Sequence, residues 1–153
     1  MSKLDELIQQ YCPEGVEYVR LGDVCRIFSG KNKQKNKEGA YPVYGSTGII
    51  AYSDEYKYDK TLILVARVGA NAGYTHISKG QYDVSDNTLI IDVNDNIQLW
   101  FIYYLLVNIR LNQYAKGGGQ PLITAGQIKE ISIPLPPLPI QEEIVRILDT
   151  FTE

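Results

Sequence analysis

Histidine, cysteine, tryptophan and methionine are scarce in this sequence: one His, two Cys, one Trp and one Met in 153 residues. The lone histidine, His76, has no Cys, His, Asp or Glu set near it at ligand spacing, so the sequence carries no zinc signature. One histidine among scattered acids also marks no Ser-His-Asp arrangement. Cys12 and Cys25 form neither a disulfide framework nor a metal motif, which fits a reducing compartment. No apolar run approaches the roughly 20 residues of a membrane helix, and the N-terminus lacks the basic-then-apolar order of a secretion signal. A glycine fingerprint for a nucleotide cofactor is missing, as is an Asn-Pro-Pro-Tyr-type methyltransferase motif. These absences argue against catalysis, a bound cofactor or metal and a membrane, and for a soluble cytoplasmic chain.

What is present is the composition of an ordinary globular domain, 44% hydrophobic and 22% charged, with enough length to bury a core without staples. The net charge of −3 is unevenly spread. Residues 1–23 hold two bases and five acids, residues 130–153 one base and five acids, and residues 24–129 twelve bases and eight acids. The ends are acidic and the body is mildly basic, which is compatible with nucleic-acid contact. The 12 tyrosines add amphipathic side chains suited to polar interfaces.

The periodicity predicts a mixed α/β (α+β) domain with one twisted mixed sheet, a buried helix and a C-terminal amphipathic helix. Leu4, Leu7, Ile8 and Tyr11 share one face of a short first helix with Ser2 as its cap. Strands are expected at 17–20, 41–45, 49–52, 61–67, 82–85 and 87–93; the apolar run TLILVAR should be central. Residues 97–113 form the strongest helical pattern, apolar on most sides and therefore expected to be largely buried.

Three polar or glycine-bearing segments stand out between these elements. In GKNKQKNKEG (30–39), Lys31, Lys33, Lys35 and Lys37 alternate with no apolar residue. This is either a solvated loop or an arm that contacts phosphates without reading sequence. In the segment Arg67-Val68-Gly69-Ala70-Asn71-Ala72-Gly73-Tyr74, small residues allow close backbone approach. Arginine can pair with guanine and asparagine with adenine in the major groove, so Arg67, Asn71 and Tyr74 are candidate readers; the bland alternative is a tight β-turn. In GGGQPLIT (117–124), beside Lys116, Thr124 can cap a short helix over 125–128. Lys116 and Gln120 are either DNA contacts or parts of a connector, and the Gly-Lys-Ser/Thr of a phosphate-binding loop is absent.

The chain's exit, ISIPLPPLPIQEEIVRILDT (131–150), joins a short apolar strand to a proline run that should be extended. Beyond Pro139, Ile140, Ile144, Ile147, Leu148 and Phe151 recur at helical spacing, with Gln141, Glu142, Glu143, Arg146 and Asp149 assigned to the polar face.

PLPPLPIQEEIVRILD resembles the start of the long spacer helix in specificity (S) subunits of type I restriction–modification systems. The entry Val19-Arg20-Leu21-Gly22-Asp23-Val24, followed by Ser29-Gly30-Lys31, resembles a second signature of that family. The loop R-x-G-x-x-x-G at Arg67 and the segment before Thr124 also have counterparts there. The resemblance implies a target-recognition domain over 1–134, then a Pro-rich connector and the start of the spacer helix over 135–153. It implies a non-catalytic module that reads half of a bipartite site in double-stranded DNA. Such a module positions methyltransferase (M) subunits, which bind S-adenosylmethionine and methylate adenine, and indirectly the restriction (R) subunit. Arg67, Asn71 and Tyr74 would face bases, Lys31, Lys33, Lys35 and Lys116 would lie on phosphates, and Gln120 would reach DNA. Ile140, Ile144, Ile147, Leu148 and Phe151 would pack on another spacer helix or an M subunit. An S subunit of this family has two such domains, so the expectation is a fragment, or a half-length subunit that pairs with a second recognition domain. Two other readings are a protein-interaction module without DNA contact and an enzyme with a nucleotide pocket at the glycine-rich turn. Steep salt dependence of binding separates DNA contact from the first.

Overall fold

The computed structural model describes residues 1–33 and 38–152. The elements, in chain order, are α1 (Lys3–Tyr11), β1 (Tyr18–Arg20), α2 (Leu21–Val24), β2 (Cys25–Ser29), β3 (Tyr41–Tyr44), β4 (Ile49–Ser53), β5 (Tyr58–Asp59) and β6 (Leu62–Ala66). There follow β7 (Thr75–Ser78), β8 (Gln81–Val84), β9 (Thr88–Val93), α3 (Leu99–Ile109), α4 (Ala125–Lys129), β10 (Ser132–Pro134) and α5 (Leu138–Thr152). The mixed α+β class read from the sequence holds, but the strands do not form one sheet. An antiparallel sheet runs β2-β9-β6-β7, and a mixed sheet runs β4-β3-β8-β5, where β3 and β8 are parallel. A separate ribbon pairs β1 with β10, joining Tyr18–Arg20 to the strand ahead of the proline run.

The continuous apolar strands are explained by burial on both faces. From β6 and β9, Ile63, Val65, Leu89 and Ile91 point into the main core with Phe101, Ile102 and Leu106 of α3. The alternate residues Leu62, Leu64 and Ile90 meet Tyr82 and Val84 of β8 in a second cluster between the sheets. Each such Leu, Ile or Val side chain contributes about 1.5–3 kcal/mol on burial. Strand β6 is interior to its sheet, as TLILVAR requires.

The pattern over 97–113 resolves into a shorter helix than expected. Helix α3 stops at Ile109 because Arg110 adopts φ 63 and ψ 77, in the left-handed region, and a 3₁₀ turn follows over Leu111–Tyr114. Arg110 is the non-glycine residue with positive φ among the described residues, a conformation that costs an L-residue roughly 1–2 kcal/mol. The helix is also less buried than expected: Trp100 and Tyr104 are half-covered and Val107 is exposed. Strand β2 and the two-residue β5 have no counterpart in the sequence-based expectation, and His76 lies on the edge strand β7.

At the exit, Pro134 closes β10 and Pro137 opens the first turn of α5, its carbonyl accepting from the amides of Ile140 (3.0 Å) and Gln141 (3.2 Å). Helix α5 packs on α1 and α3. Two residues assigned to its polar face are in fact buried, Gln141 and Glu143. The Gln141 side chain accepts from the Gln98 amide (3.0 Å) and donates to the Pro136 carbonyl (2.8 Å), tying α5 to the start of α3. Glu143 receives both Nε and Nη2 of Arg146 and lies near Lys3 of α1. No helix among the described residues is long and apolar enough to cross a membrane.

Candidate nucleic-acid interface

Two stretches far apart in sequence, residues 67–74 and residues 110–122, meet as three loops at one end of the β2-β9-β6-β7 sheet. The turn between β6 and β7 is closed by Gly73 N–H to the Ala66 carbonyl (2.7 Å) and Ala66 N–H to the Tyr74 carbonyl (2.9 Å). Gly69 and Gly73 sit there at φ 84 and φ 97, which is the physical reason for glycine at both positions. The 116–122 loop folds back on itself through Lys116 and Leu122, whose amides and carbonyls exchange hydrogen bonds of 2.9 and 2.7 Å. Its returning limb pairs with the first turn: Gly69 N–H donates to Pro121 (2.9 Å) and Ile123 N–H to Arg67 (2.9 Å). The third loop is the turn after α3, because Gly73 lies directly against the backbone of Leu111 and Asn112. Thr124 then caps α4 as expected, its hydroxyl accepting from the Gln127 amide while Gln127 Oε1 accepts from the Thr124 amide (2.8 Å).

This convergence brings Asn71, Tyr74, Lys116 and Gln120 onto loops that are bonded to one another, all four at least partly exposed. Arg67 is placed differently. Its side chain is half-buried and turned toward β2, with Nη1 donating to Ser29 Oγ (3.0 Å) and to the Asp86 carbonyl (3.4 Å). Its Nε is buried with no hydrogen-bond partner among the described residues. The guanidinium is thus held at the base of the loop, where Tyr74 pairs with Ala66, while Asn71 lies at its tip. Tyr74 stacks on His76 with ring centroids 5.4 Å apart. Burial pushes the His76 pKa down, partly offset by the backbone of Gly45 and Ser46, so an uncharged imidazole backs the tyrosine.

Beside the loops lies a cavity of about 440 Å³ lined by Asn71, Tyr74, Tyr103, Arg110 and Asn112. Arg110 is the residue that sequence reasoning missed here. It appeared as a polar exception near the end of an apolar helix, and nothing local announced that it would end that helix and face the readout turn. Lys31 and Lys33 are exposed on the other side of Ser29, and Lys35 lies outside the described residues.

Of the stripe on α5, Ile140 is buried within this chain, and Ile144 and Leu148 line an apolar groove of about 540 Å³ with Leu4, Phe101 and Tyr104. Ile147 is half-buried and Phe151 is 79% exposed. Among the described residues no group of three or more His, Cys, Asp and Glu side chains could hold a metal ion.

The architecture is that of a mixed α/β domain whose glycine-bearing loops gather at one sheet end while its last helix docks on the body. The chain belongs to the type I restriction modification DNA specificity domain family, whose sequence model matches residues 13–153. It is 28% identical over 138 residues to the specificity subunit of the type I restriction enzyme EcoprrI of Escherichia coli, covering 86% of this chain and 34% of that protein. It is 31% identical over 157 residues to the MjaVIII specificity subunit of Methanocaldococcus jannaschii, covering 91% of this chain and 36% of that one. In fold it is similar to the S subunit of a type I restriction–modification system from M. genitalium, with a TM-score of 0.76 at 21% identity, over 91% of this chain and 40% of that chain. The HsdS subunit from Thermoanaerobacter tengcongensis matches with a TM-score of 0.72 at 22% identity, over 97% and 42%. The chain therefore spans roughly a third of the length of these curated relatives.

Proposed function

We propose that this chain is a sequence-reading module for double-stranded DNA that recognises half of a bipartite site and positions methyltransferase subunits, and through them a restriction subunit. The observation that carries the reading is the convergence of three loops in a member of the specificity-domain family: 67–74 and 116–122 are hydrogen-bonded to each other, and 110–112 packs on Gly73. Asn71, Tyr74 and Gln120 supply exposed groups for base edges, and Arg110 adds a cation beside them. Arg67 acts at the loop's base, where Ser29 and Asp86 hold its guanidinium. Lys31, Lys33, Lys35 and Lys116 position the backbone. Residues 1–134 form the reading body, and residues 135–153 the connector and the start of a spacer helix. Its Leu148 and Phe151 face a second spacer helix or a methyltransferase subunit; Ile140, Ile144 and Ile147 support that helix from within.

The test is selection of bound duplexes from a random pool, with this chain alone and with its methyltransferase subunit. The expected result is an enriched half-site whose preference relaxes at one or two positions in Asn71→Ala, by about 1–3 kcal/mol for each base pairing removed. Failure to enrich any sequence in either setting would sink the reading and leave a protein-interaction module.

A further inference from the structure

A second cationic surface lies at the edge between the two four-stranded sheets, outside the loop cluster. It is a cleft of about 300 Å³ with Arg26, Lys31, Lys57 and Lys60 in its walls and the rings of Phe28 and Tyr58 in its floor. The fold assembles it from three separate segments. β2 carries Arg26, the residues just after β2 carry Lys31, and the approach to β5 carries Lys57, whose amide is pinned to the Tyr82 carbonyl (3.1 Å).

The single carboxylate in the cleft is Asp92, opposite Arg26 in the β2–β9 register. It engages Lys60 at 2.7 Å, whereas Arg26 stands 3.7 Å away with 74% of its side chain exposed. Lys31 and Lys57 have no carboxylate partner among the described residues. The aromatic floor holds two of the cations in place: the Arg26 guanidinium lies 5.0 Å from the Phe28 ring centroid, and the Lys57 ammonium 5.9 Å from that of Tyr58. The cleft therefore presents four cations against one acid in a chain whose net charge is −3.

The cleft shares strand β2 with the anchor of the candidate readout loop. Ser29, which holds Arg67, ends β2 two residues before Lys31, and Arg26 lies near the start of the same strand. A five-residue strand spans about 17 Å, the axial rise of about five base pairs of duplex at 3.4 Å each. Cations gathered in one cleft along this strand suit the phosphates of a backbone segment.

We infer that the Arg26–Lys57 cleft is a second, sequence-blind contact to the phosphodiester backbone of duplex DNA, engaged by the same duplex that meets the 67–74 loop. It rests on the DNA-reading function proposed above. It assigns Arg26 and Lys57 the role of backbone anchors, while Asp92 tempers the cleft by holding Lys60.

Fluorescence anisotropy of labelled duplexes at 50 to 200 mM salt tests this with the 153-residue chain, alongside Arg26→Gln/Lys57→Gln, Arg26→Lys/Lys57→Arg, Lys57→Glu, Asp92→Asn and a control, Lys3→Glu. Removing two phosphate anchors should reduce the slope of log affinity against log salt by about 1.8. The double Gln variant should then lose about tenfold less affinity than wild type over that salt range. Its deficit at low salt should be equal on selected and scrambled sequences, with the same urea midpoint as wild type. The Lys/Arg exchange should restore the slope, Lys57→Glu should lower it, Asp92→Asn should raise it and Lys3→Glu should leave it unchanged. A wild-type slope in the double Gln and Lys57→Glu variants would overturn the cleft as a DNA contact while leaving the loop reading intact. A wild-type slope on DNA together with abolished binding to poly-glutamate would assign the cleft to an acidic protein and overturn the inference too. No duplex binding by the wild-type chain at 50 mM salt would remove both the cleft contact and independent DNA reading by this chain.

Discussion

Gly73 lies against the backbone of Asn112, so close that a side-chain carbon at Gly73 would overlap the Asn112 amide nitrogen and the Leu111 carbonyl carbon. One residue without a Cβ thus lets the β6–β7 turn, with Asn71 and Tyr74, rest on the turn that carries Arg110. Gly73 also has φ +97, where an L side chain is strained regardless of space. Gly73→Ala is expected to lose about 1–3 kcal/mol from backbone strain, and more from displacing the Leu111–Asn112 backbone. Urea unfolding measures this; an unchanged midpoint would show that the two turns are not locked together.

Gln141 supplies a second lock, on the opposite side of the core. Its amide satisfies one backbone donor at Gln98 and one backbone acceptor at Pro136, both otherwise covered by α5. Gln141→Ala removes both partners at once, and the expected destabilisation is about 1–3 kcal/mol for each buried group left unsatisfied. Hydrogen exchange at the Gln98 amide gives the specific readout: protection should fall there before it falls in β6 or β9. If the Gln98 amide stays as protected as in wild type, the clamp is not what holds the helix.

Cys25 is buried beneath the sheet edge, and burial, with a smaller contribution from Asp92, pushes its thiol up to about 12. The reactive form is the thiolate, so a thiol reagent at pH 8 should modify Cys25 only as fast as the chain unfolds. In a Cys12→Ala background, where Cys25 is the sole thiol, the labelling rate should rise with urea in step with unfolding. Fast labelling in native buffer would show that the β2 edge opens locally.

Much of the architecture was legible because it follows from local patterns. TLILVAR announced an interior strand, Ser2 and Thr124 announced helix caps, and the proline run announced the turn into α5. Periodicity misassigned Gln141 and Glu143, since a polar side chain at a helical position reads as solvent-facing unless its long-range partner is known. Gln98 is 43 residues from Gln141 and invisible to any local window. Arg110 was missed for a related reason: arginine carries no turn preference of its own, and the turn it opens packs on Gly73, 37 positions away. The candidate loops were named one by one, but their meeting rests on pairings such as Gly69 with Pro121, across 52 positions. The Arg26–Lys57 cleft shares that origin, built by topology from cations on β2, just after it and on either side of β5.

Glu143 and Arg146 make the stability of the exit helix depend on pH in a defined direction. The Glu143 side chain is only 3% exposed, and its hydrogen-bonded pairing with Arg146, with help from Lys3, holds its carboxyl below the ordinary value of 4.5 despite the opposing effect of burial. A group whose folded pKa is depressed binds fewer protons when folded than when unfolded. Its stabilising contribution is therefore fully present above the unfolded value of about 4.5 and is lost as pH falls through the lower folded value. Arg146→Met removes the pairing but keeps the aliphatic stem, leaving a covered carboxylate whose burial now raises its pKa. The variant should be less stable than wild type at pH 7, and the gap between their urea midpoints should begin to narrow above about 4.5, as the variant's raised carboxyl takes up its proton, and go on narrowing as pH falls through the lower wild-type value. A gap of constant size at every pH would trace the effect to packing of the arginine stem and not to its charge. Equal midpoints at pH 7 would show that Lys3 alone compensates the buried carboxylate, making Lys3→Ala in the Arg146→Met background the more damaging change.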